Sequence, residues 1–255
     1  MRVAALADIH GNLPALRAVL ADLDAGGGAD AIVIAGDVVG GALVREALEL
    51  LDARPERLLW IRGNSEREAV DAWDGVAVED DGPGRAAAWS ARALDRQWRD
   101  RLASWPIASD LDGVRFCHGS PRRDDETLTR QTPDATLREA LAGASEAMVV
   151  GGHTHQQVIR AMPGAPTYVN TGSVGMPYEG RAGAFWLLLQ DGEPSLRETA
   201  YDIGAAVAEL RSSGFPDVDE QVTESLLTPA DPEWVAAFFE HAAGRAPDPG
   251  PMPPG

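Results

Sequence analysis

Apolar and polar positions along the chain fall into two regimes. Residues 3–7 form a short apolar run that stops at Asp8. Leu13, Leu16, Val19, Leu20 and Leu23 then recur at helical spacing. Gly26-Gly27-Gly28 closes that stretch. Residues 31–35 are a second apolar run, closed by Gly36-Asp37. A helix is expected over 42–51. A third run, 58–61, is closed by Arg62-Gly63-Asn64. Strand, loop and helix thus alternate three times, the pattern of an α/β layered fold. One helical stretch is expected over 85–103, with Leu94, Trp98 and Leu102 spaced four apart.

From residue 107 the pattern changes. Short apolar runs at 107–111, 114–117, 146–150, 158–161, 167–169, 184–189 and 195–200 are separated by turn residues. Asp112-Gly113 and Asp191-Gly192 are hairpin-type turns. A short helix over 136–141 interrupts them. The second half is therefore strand-rich and partly antiparallel. After Tyr201 the chain turns helical again: Ile203, Val207 and Leu210 share a face, and Asp231-Pro232 is an N-cap with proline at the first helical position. The expected organisation is a catalytic domain over 1–200, a helical C-terminal extension packed on it over 201–243, and a disordered Pro/Gly tail over 244–255.

Charge narrows the partners. The 255-residue chain carries a formal net charge of −18. Such a surface repels polyanions at long range, and Arg122-Arg123 is its longest basic run. Broad nucleic-acid binding is disfavoured, because backbone contacts need a basic patch. A small phosphorylated substrate is not, since bound cations reverse the local field. The single cysteine, Cys117, is expected as a buried core thiol and suits a reducing, cytoplasmic setting. The N-terminus has no signal-peptide pattern, and no apolar run is long enough to span a membrane. A homo-oligomer is left open.

The candidate chemistry sits where apolar runs end. Of five histidines, His10, His118, His153 and His155 each follow an expected strand; His241 does not. Asp8, Asp37 and Asn64 occupy equivalent loops. Loops at the carboxyl ends of strands are where α/β folds build sites. Glycines stand beside these residues: Gly11, Gly36, Gly63, Gly119, Gly151 and Gly152. Imidazole, carboxylate and amide oxygen together suit Mn²⁺, Fe²⁺ or Zn²⁺. Two carboxylates, four imidazoles and one amide exceed the needs of one tetrahedral ion. They suit two ions sharing a bridging carboxylate, about 3.5–4 Å apart, the arrangement that clamps a phosphate and activates water.

The ordered set Asp8-x-His10, Gly36-Asp37, Gly63-Asn64, His118 and Gly152-His153-x-His155 resembles the calcineurin-like metallophosphoesterase family over about residues 1–190. The resemblance implies a four-layer α/β/β/α sandwich of two mixed sheets with a dinuclear centre on their common edge. It implies one ion on Asp8, His10 and His155, a second on Asn64, His118 and His153, and Asp37 between them. Mn²⁺ is the favoured metal; Fe, Zn, Ni or Mg are alternatives. Asp37, Asn64 and His118 are the expected catalytic residues, in a phosphoesterase that uses in-line attack by metal-bound hydroxide. The stretch Asn170-Thr171-Gly172-Ser173-Val174-Gly175 is similar to one in the small bacterial phosphodiesterase branch.

The chain departs from that pattern twice. Many family members read Gly-Asn-His, but here Ser65 follows Asn64. Serine cannot act as an imidazolium acid, and general acid catalysis typically contributes ~10²–10⁴-fold. Activated esters or pyrophosphate-like bonds are therefore the expected substrates. Protein phosphatases of the family also carry an arginine after Gly-Asp, absent in Val38-Val39-Gly40-Gly41. Arg62 is expected in a structural ion pair, and Glu66 either supports the site or caps a helix. The alternatives are a dinucleoside polyphosphate hydrolase, a phosphomonoesterase, or a non-catalytic metal-binding scaffold.

Overall fold

The structure is a computed structural model that describes residues 1–252. The chain runs β1 (Arg2–Leu6), α1 (Leu13–Ala25), β2 (Ala31–Ala35), α2 (Val44–Asp52), β3 (Arg57–Ile61), α3 (Asn64–Trp73), α4 (Gly82–Ala93) and α5 (Arg96–Ser104). It continues through β4 (Ala108–Leu111), β5 (Val114–Cys117), α6 (Asp134–Ala140), β6 (Met148–Gly151), β7 (Gln157–Arg160), β8 (Thr167–Thr171), β9 (Ala184–Gln190) and β10 (Glu193–Thr199). It ends with α7 (Ile203–Arg211), α8 (Val218–Val222), a π-helical turn (Thr223–Leu227) and α9 (Pro232–Ala242).

Two five-stranded sheets form, in the orders β10-β9-β1-β2-β3 and β4-β5-β6-β8-β7. The middle of each is parallel: β1 with β2 and β2 with β3, then β5 with β6 and β6 with β8. Antiparallel strands close the rest. Alternation along the strands explains the layering. Val3, Ala5, Ala31, Val33 and Ala35 pack against Val114, Phe116, Val150 and Val169 between the sheets. Ala4, Leu6, Ile32 and Ile34 face the other way, onto Leu16, Val19, Leu48, Leu51, Trp98 and Leu102 of the helices. Cys117, Val149 and Tyr168 turn outward onto Leu137, Ala140 and Leu141 around α6. The result is the α/β/β/α sandwich. The carboxyl ends of β1, β2 and β3 meet those of β5 and β6 along one edge.

Two details differ from the sequence reading. The single helix expected over 85–103 is two helices. Leu94 is extended, and Asp95 starts α5 by accepting from Trp98 N at 2.9 Å. An N-cap acceptor satisfies an otherwise unpaired amide, so the aspartate restarts the helix inside a continuous apolar stripe. The tail expected to be disordered folds back over part of its length. Arg245 pairs with Glu240 at 2.7 Å, and Trp234 Nε1 donates to Gly250 O at 3.1 Å. Its last residues, 253–255, lie outside the described residues. The C-terminal helices bury Val207, Leu210, Phe215, Val218, Val222 and Leu226 against Ala42, Leu43, Ala86 and Trp89. Among the described residues no helix is long and apolar enough to cross a membrane.

Candidate metal centre

Six of the seven residues singled out from the sequence lie on the loops that follow β1, β2, β5 and β6, and Asn64 opens α3 just after β3. Asp8, His10 and His155 offer ligand atoms within 4.8 Å of one another; so do Asp37, His118 and His153. The groups adjoin. Asp37 Oδ2 lies 3.3 Å from His118 Nε2 and 3.8 Å from His10 Nε2. Asp8 Oδ1 lies 3.2 Å from His155 Nε2 and 3.8 Å from His118 Nε2. Asn64 has its amide nitrogen on Glu68 at 3.3 Å, while its oxygen is buried without a partner. His241 sits apart, exposed on α9, with Nδ1 beside Ala246 O.

Local structure aims each group. One oxygen of each aspartate is tethered to a backbone amide: Asp8 Oδ2 accepts from His153 N, and Asp37 Oδ1 from Ser65 N, both at 2.9 Å. The other oxygen faces imidazoles. Three histidines place Nδ1 on a carbonyl: His118 on Ala35 O at 2.8 Å, His155 on Met176 O at 2.7 Å, His10 on Gly40 O at 3.3 Å. A carbonyl accepts only, so each Nδ1 carries hydrogen and Nε2 is left as a lone-pair donor in the neutral ring. This is how metal-ligating histidines are oriented.

The backbone is bent to the same end. Asp8, His10, Asp37, His153 and His155 all have positive φ, between 45° and 70°. Left-handed residues other than glycine cost about 1–3 kcal/mol each and persist where surrounding structure over-determines them. Asp112 and Asp191, the other two, lie in the Asp-Gly hairpin turns. Two glycines explain why nothing larger precedes the ligand pair in "GGHTH" or "GD". A Cβ on Gly152 would stand 2.6 Å from Asp8 Oδ2, and one on Gly36 would stand 2.5 Å from His118 Nδ1.

Glu66 supports the Asp37 loop. It is fully buried and accepts from Asp37 N, Val38 N and Gly63 N at 2.8 Å each, and from Val39 N at 3.3 Å. The Asn170–Gly175 stretch supports the Asp8 loop from the other sheet. Ser173 Oγ and Gly175 N both donate to Asp8 O, at 2.7 and 2.9 Å. Ser65 lines the cleft beside Gly40. Arg62 does not; it pairs with Asp124 at 3.2 Å. Cys117 is wholly buried, and burial pushes its thiol well above the usual range.

The electrostatics are those of a cation site. Burial penalises ionised Asp8 and Asp37, yet the facing histidines outweigh it and hold both carboxyls below their usual range. Burial opposes charge on His118 too, but Asp37 and Asp8 push it up to about 10. His153 is half-buried beside His118, and its desolvation together with the His118 charge pushes it down to about 4. Burial and the Asp37 charge push Glu66 up to about 7 against the pull of its amide donors. Asp8 Oδ1, Asn64 Oδ1 and His118 Nε2 are buried with no hydrogen-bond partner. Buried polar atoms rarely stay unpaired unless a water or ion answers them. Unpaired oxygen and nitrogen atoms from a carboxylate, an amide and an imidazole are the donor types that divalent cations take.

The centre floors a cavity of about 310 Å³. Its walls come from α4 (Pro83, Ala86, Ala87), from Met176 and Tyr178, and from the C-terminal helices (Phe215, Glu220, Gln221, Glu224, Phe239). Gln221 Nε2 donates to His10 O at 3.0 Å. The extension therefore reaches the site, which the sequence pattern did not reveal.

The profile of the calcineurin-like phosphoesterase superfamily domain matches residues 1–192. In structure the chain is similar to a metallophosphoesterase from Sphaerobacter thermophilus, at 22% identity and TM-score 0.69, covering 89% of this chain and 99% of that one. It is also similar to a hypothetical protein from Pyrococcus horikoshii OT3, at 21% identity and TM-score 0.75, covering 88% and 97%. No curated protein matches the sequence significantly.

Proposed function

The chain belongs to the calcineurin-like phosphoesterase superfamily, and we propose that within it the protein is a dinuclear-metal-dependent phosphodiesterase. Two adjoining groups of buried ligand-type side chains, with Asp8 Oδ1 and His118 Nε2 left without a hydrogen-bond partner between them, are what carry this reading. Asp8, His10 and His155 would hold one divalent ion, and Asn64, His118 and His153 a second. Asp37 faces both groups and would be shared. When bound, the ions supply Lewis acidity toward the phosphoryl oxygens and a nucleophile from water near neutral pH. The protein's own groups do the positioning. Glu66 fixes the Asp37 loop through four amides. The carbonyls of Ala35, Met176 and Gly40 set the imidazole faces. The nitrogen–oxygen donor set accommodates Mn²⁺, the metal the family resemblance favours, as well as Fe²⁺ or Zn²⁺.

Preference for a diester rests on one feature, and preference for an activated leaving group on another. The Asn170–Gly175 stretch resembles that of the small phosphodiesterase branch and holds the Asp8 loop. Ser65 stands where an imidazole would protonate a leaving oxygen, so an aryl or anhydride leaving group suits the site better than an alkyl alcohol. The test is direct. Protein stripped by chelator and reloaded with Mn²⁺ should hydrolyse bis-p-nitrophenyl phosphate faster than p-nitrophenyl phosphate, and glycerol phosphate hardly at all. A preference for the monoester would move the reading to a phosphatase. Metal bound at two ions per chain with no turnover of any of the three would leave a scaffold.

A further inference from the structure

The metal centre occupies only the floor of the cavity, and the walls carry a different chemistry. Above it, Glu220 and Glu224 stand four residues apart on the C-terminal wall. The charge that bears most on Glu224 is that of Glu220, another carboxylate. Asp217 and Glu68, also on the walls, are engaged already, with Arg85 at 2.9 Å and with Asn64 at 3.3 Å. No arginine lines the cavity among the described residues, and the chain contains no lysine.

Two further observations point to a ligand. Gln221 is 5% exposed and lines the cavity; its Nε2 is used on His10 O, but its Oε1 has no hydrogen-bond partner. An acceptor buried unpaired costs free energy that a donor would recover. Opposite, Tyr178 stacks on His155 with ring centroids 4.9 Å apart, and Phe239 lies 6.3 Å from Tyr178. Aromatic faces beside carboxylates and a free carbonyl oxygen are the surroundings that attract an organic cation. An anionic extension would meet Glu220 and Glu224 with no cation to answer it.

Resting on the phosphodiesterase reading, we propose that the cleft selects a small phosphodiester carrying an alkylammonium group, with Glu220, Glu224, Gln221 and the Tyr178–Phe239 pair as its cation subsite. The phosphate lies toward the histidines, and the ammonium lies toward the C-terminal wall. A nucleotide or other substrate that would place a second phosphate against the C-terminal wall is disfavoured by Glu220 and Glu224. The cavity volume of about 310 Å³ suits a small diester rather than a polymer.

The test compares 2-aminoethyl p-nitrophenyl phosphate with propyl p-nitrophenyl phosphate on the Mn²⁺-loaded full chain. The two differ by –NH₃⁺ against –CH₃. We expect kcat/KM to favour the aminoethyl ester by about tenfold, the scale of a cation–aromatic and ion-pair contact in a partly desolvated site. In the double variant Glu220→Gln/Glu224→Gln that ratio should fall toward one. Calorimetric binding of 2-aminoethyl and propyl methylphosphonate reads the same preference without turnover. If neither diester is hydrolysed but the aminoethyl phosphonate still binds more tightly, the cation subsite stands and the phosphodiesterase reading fails. Equal turnover and equal binding of each pair would overturn the subsite and leave the phosphodiesterase. So would a third divalent ion per chain that the double variant loses, since the carboxylates would then be metal ligands.

Discussion

The floor of the cleft and its C-terminal wall meet at the hydrogen bond from Gln221 to His10 O, and they are built differently. On the floor the ligand-type side chains are fixed from behind by backbone, and only the atoms turned toward one another are left unpaired. Asp8, Asp37 and three imidazoles are each held by backbone, and the strain of five left-handed residues is absorbed by the two sheets. On the wall, apolar packing of Val207, Leu210, Val222 and Leu226 holds the helices, while Glu220 is exposed and Glu224 half-buried. The floor holds its groups in place through backbone hydrogen bonds, the kind of positioning that catalysis requires. The wall fixes only which chemistry faces the substrate. The comparison teaches that changes on the floor should abolish turnover or metal, whereas changes on the wall should alter which substrate is preferred.

The largest effect should come from Asp37, which faces both groups. Asp37→Asn keeps the shape and removes the charge. Turnover of bis-p-nitrophenyl phosphate should fall by about 10²–10³-fold or more, the scale for losing one electrostatic contact at the transition state. Elemental analysis should show less than two ions per chain. Full activity in this variant would mean the floor does not hold the chemistry.

Removing support beneath the floor should act next. Glu66→Ala leaves the amides of Asp37, Val38 and Gly63 buried without an acceptor. At about 1–3 kcal/mol for each unsatisfied group, urea denaturation should show a loss of roughly 3 kcal/mol or more. Metal affinity should fall by about 10–100-fold, as when a ligand loses its orienting partner. Glu66→Gln, keeping one acceptor oxygen, should fall between. An unchanged metal affinity in a folded Glu66→Ala protein would separate the loop from the site.

Protons probe the floor without mutation. Before metal binds, His118 is held up to about 10 by Asp37 and Asp8, so near neutral pH it carries a proton that metal must displace. His153, at about 4, is already neutral and releases none. Apparent affinity should therefore rise with pH, by about tenfold per unit for one displaced proton between pH 6 and 8. Calorimetry in buffers of different ionisation enthalpy should count the proton. A pH-independent affinity would mean that His118 is not displaced.

How much of this was legible follows the same division. The sandwich could be read because parallel strands buried on both faces leave near-continuous apolar runs, and β1, β2 and β6 do so. The seven candidate residues could be singled out because each stands in a turn that follows an apolar run, five of them next to a glycine. What could not be read depended on distant contacts. Nothing near Gln221 signals that it will bond to a carbonyl 211 positions away. Glu66 sits where a helix-start carboxylate would sit, so its four amides stayed hidden behind a local explanation. Asp95, which splits the expected long helix, is one cap within an unbroken Leu94-Trp98-Leu102 stripe.

On the wall, Gln221→Leu should spare the floor chemistry. It loses one hydrogen bond, about 1 kcal/mol, and the free acceptor proposed to face the ammonium. KM for the aminoethyl ester should rise about fivefold with kcat changed less than about twofold, the signature of lost ground-state binding. A fall in kcat instead would show that the contact with His10 O positions the floor.

The smallest effect is expected at Arg62, which sits one residue before the Gly63-Asn64 corner yet points away from the cavity. Its guanidinium is on Asp124, where Arg67 also lies at 3.1 Å. Asp124 therefore keeps a cation when Arg62 is removed, and a partly exposed pair of this kind is worth only about 0–1 kcal/mol. Arg62→Ala should lower stability by no more than that and leave KM for the diester within about twofold. A KM raised tenfold, with weaker competition by inorganic phosphate, would show instead that Arg62 swings to the phosphate during the reaction. The floor would then recruit a positive charge that its ground-state ion pair conceals, and the division between floor and wall would need redrawing at that residue.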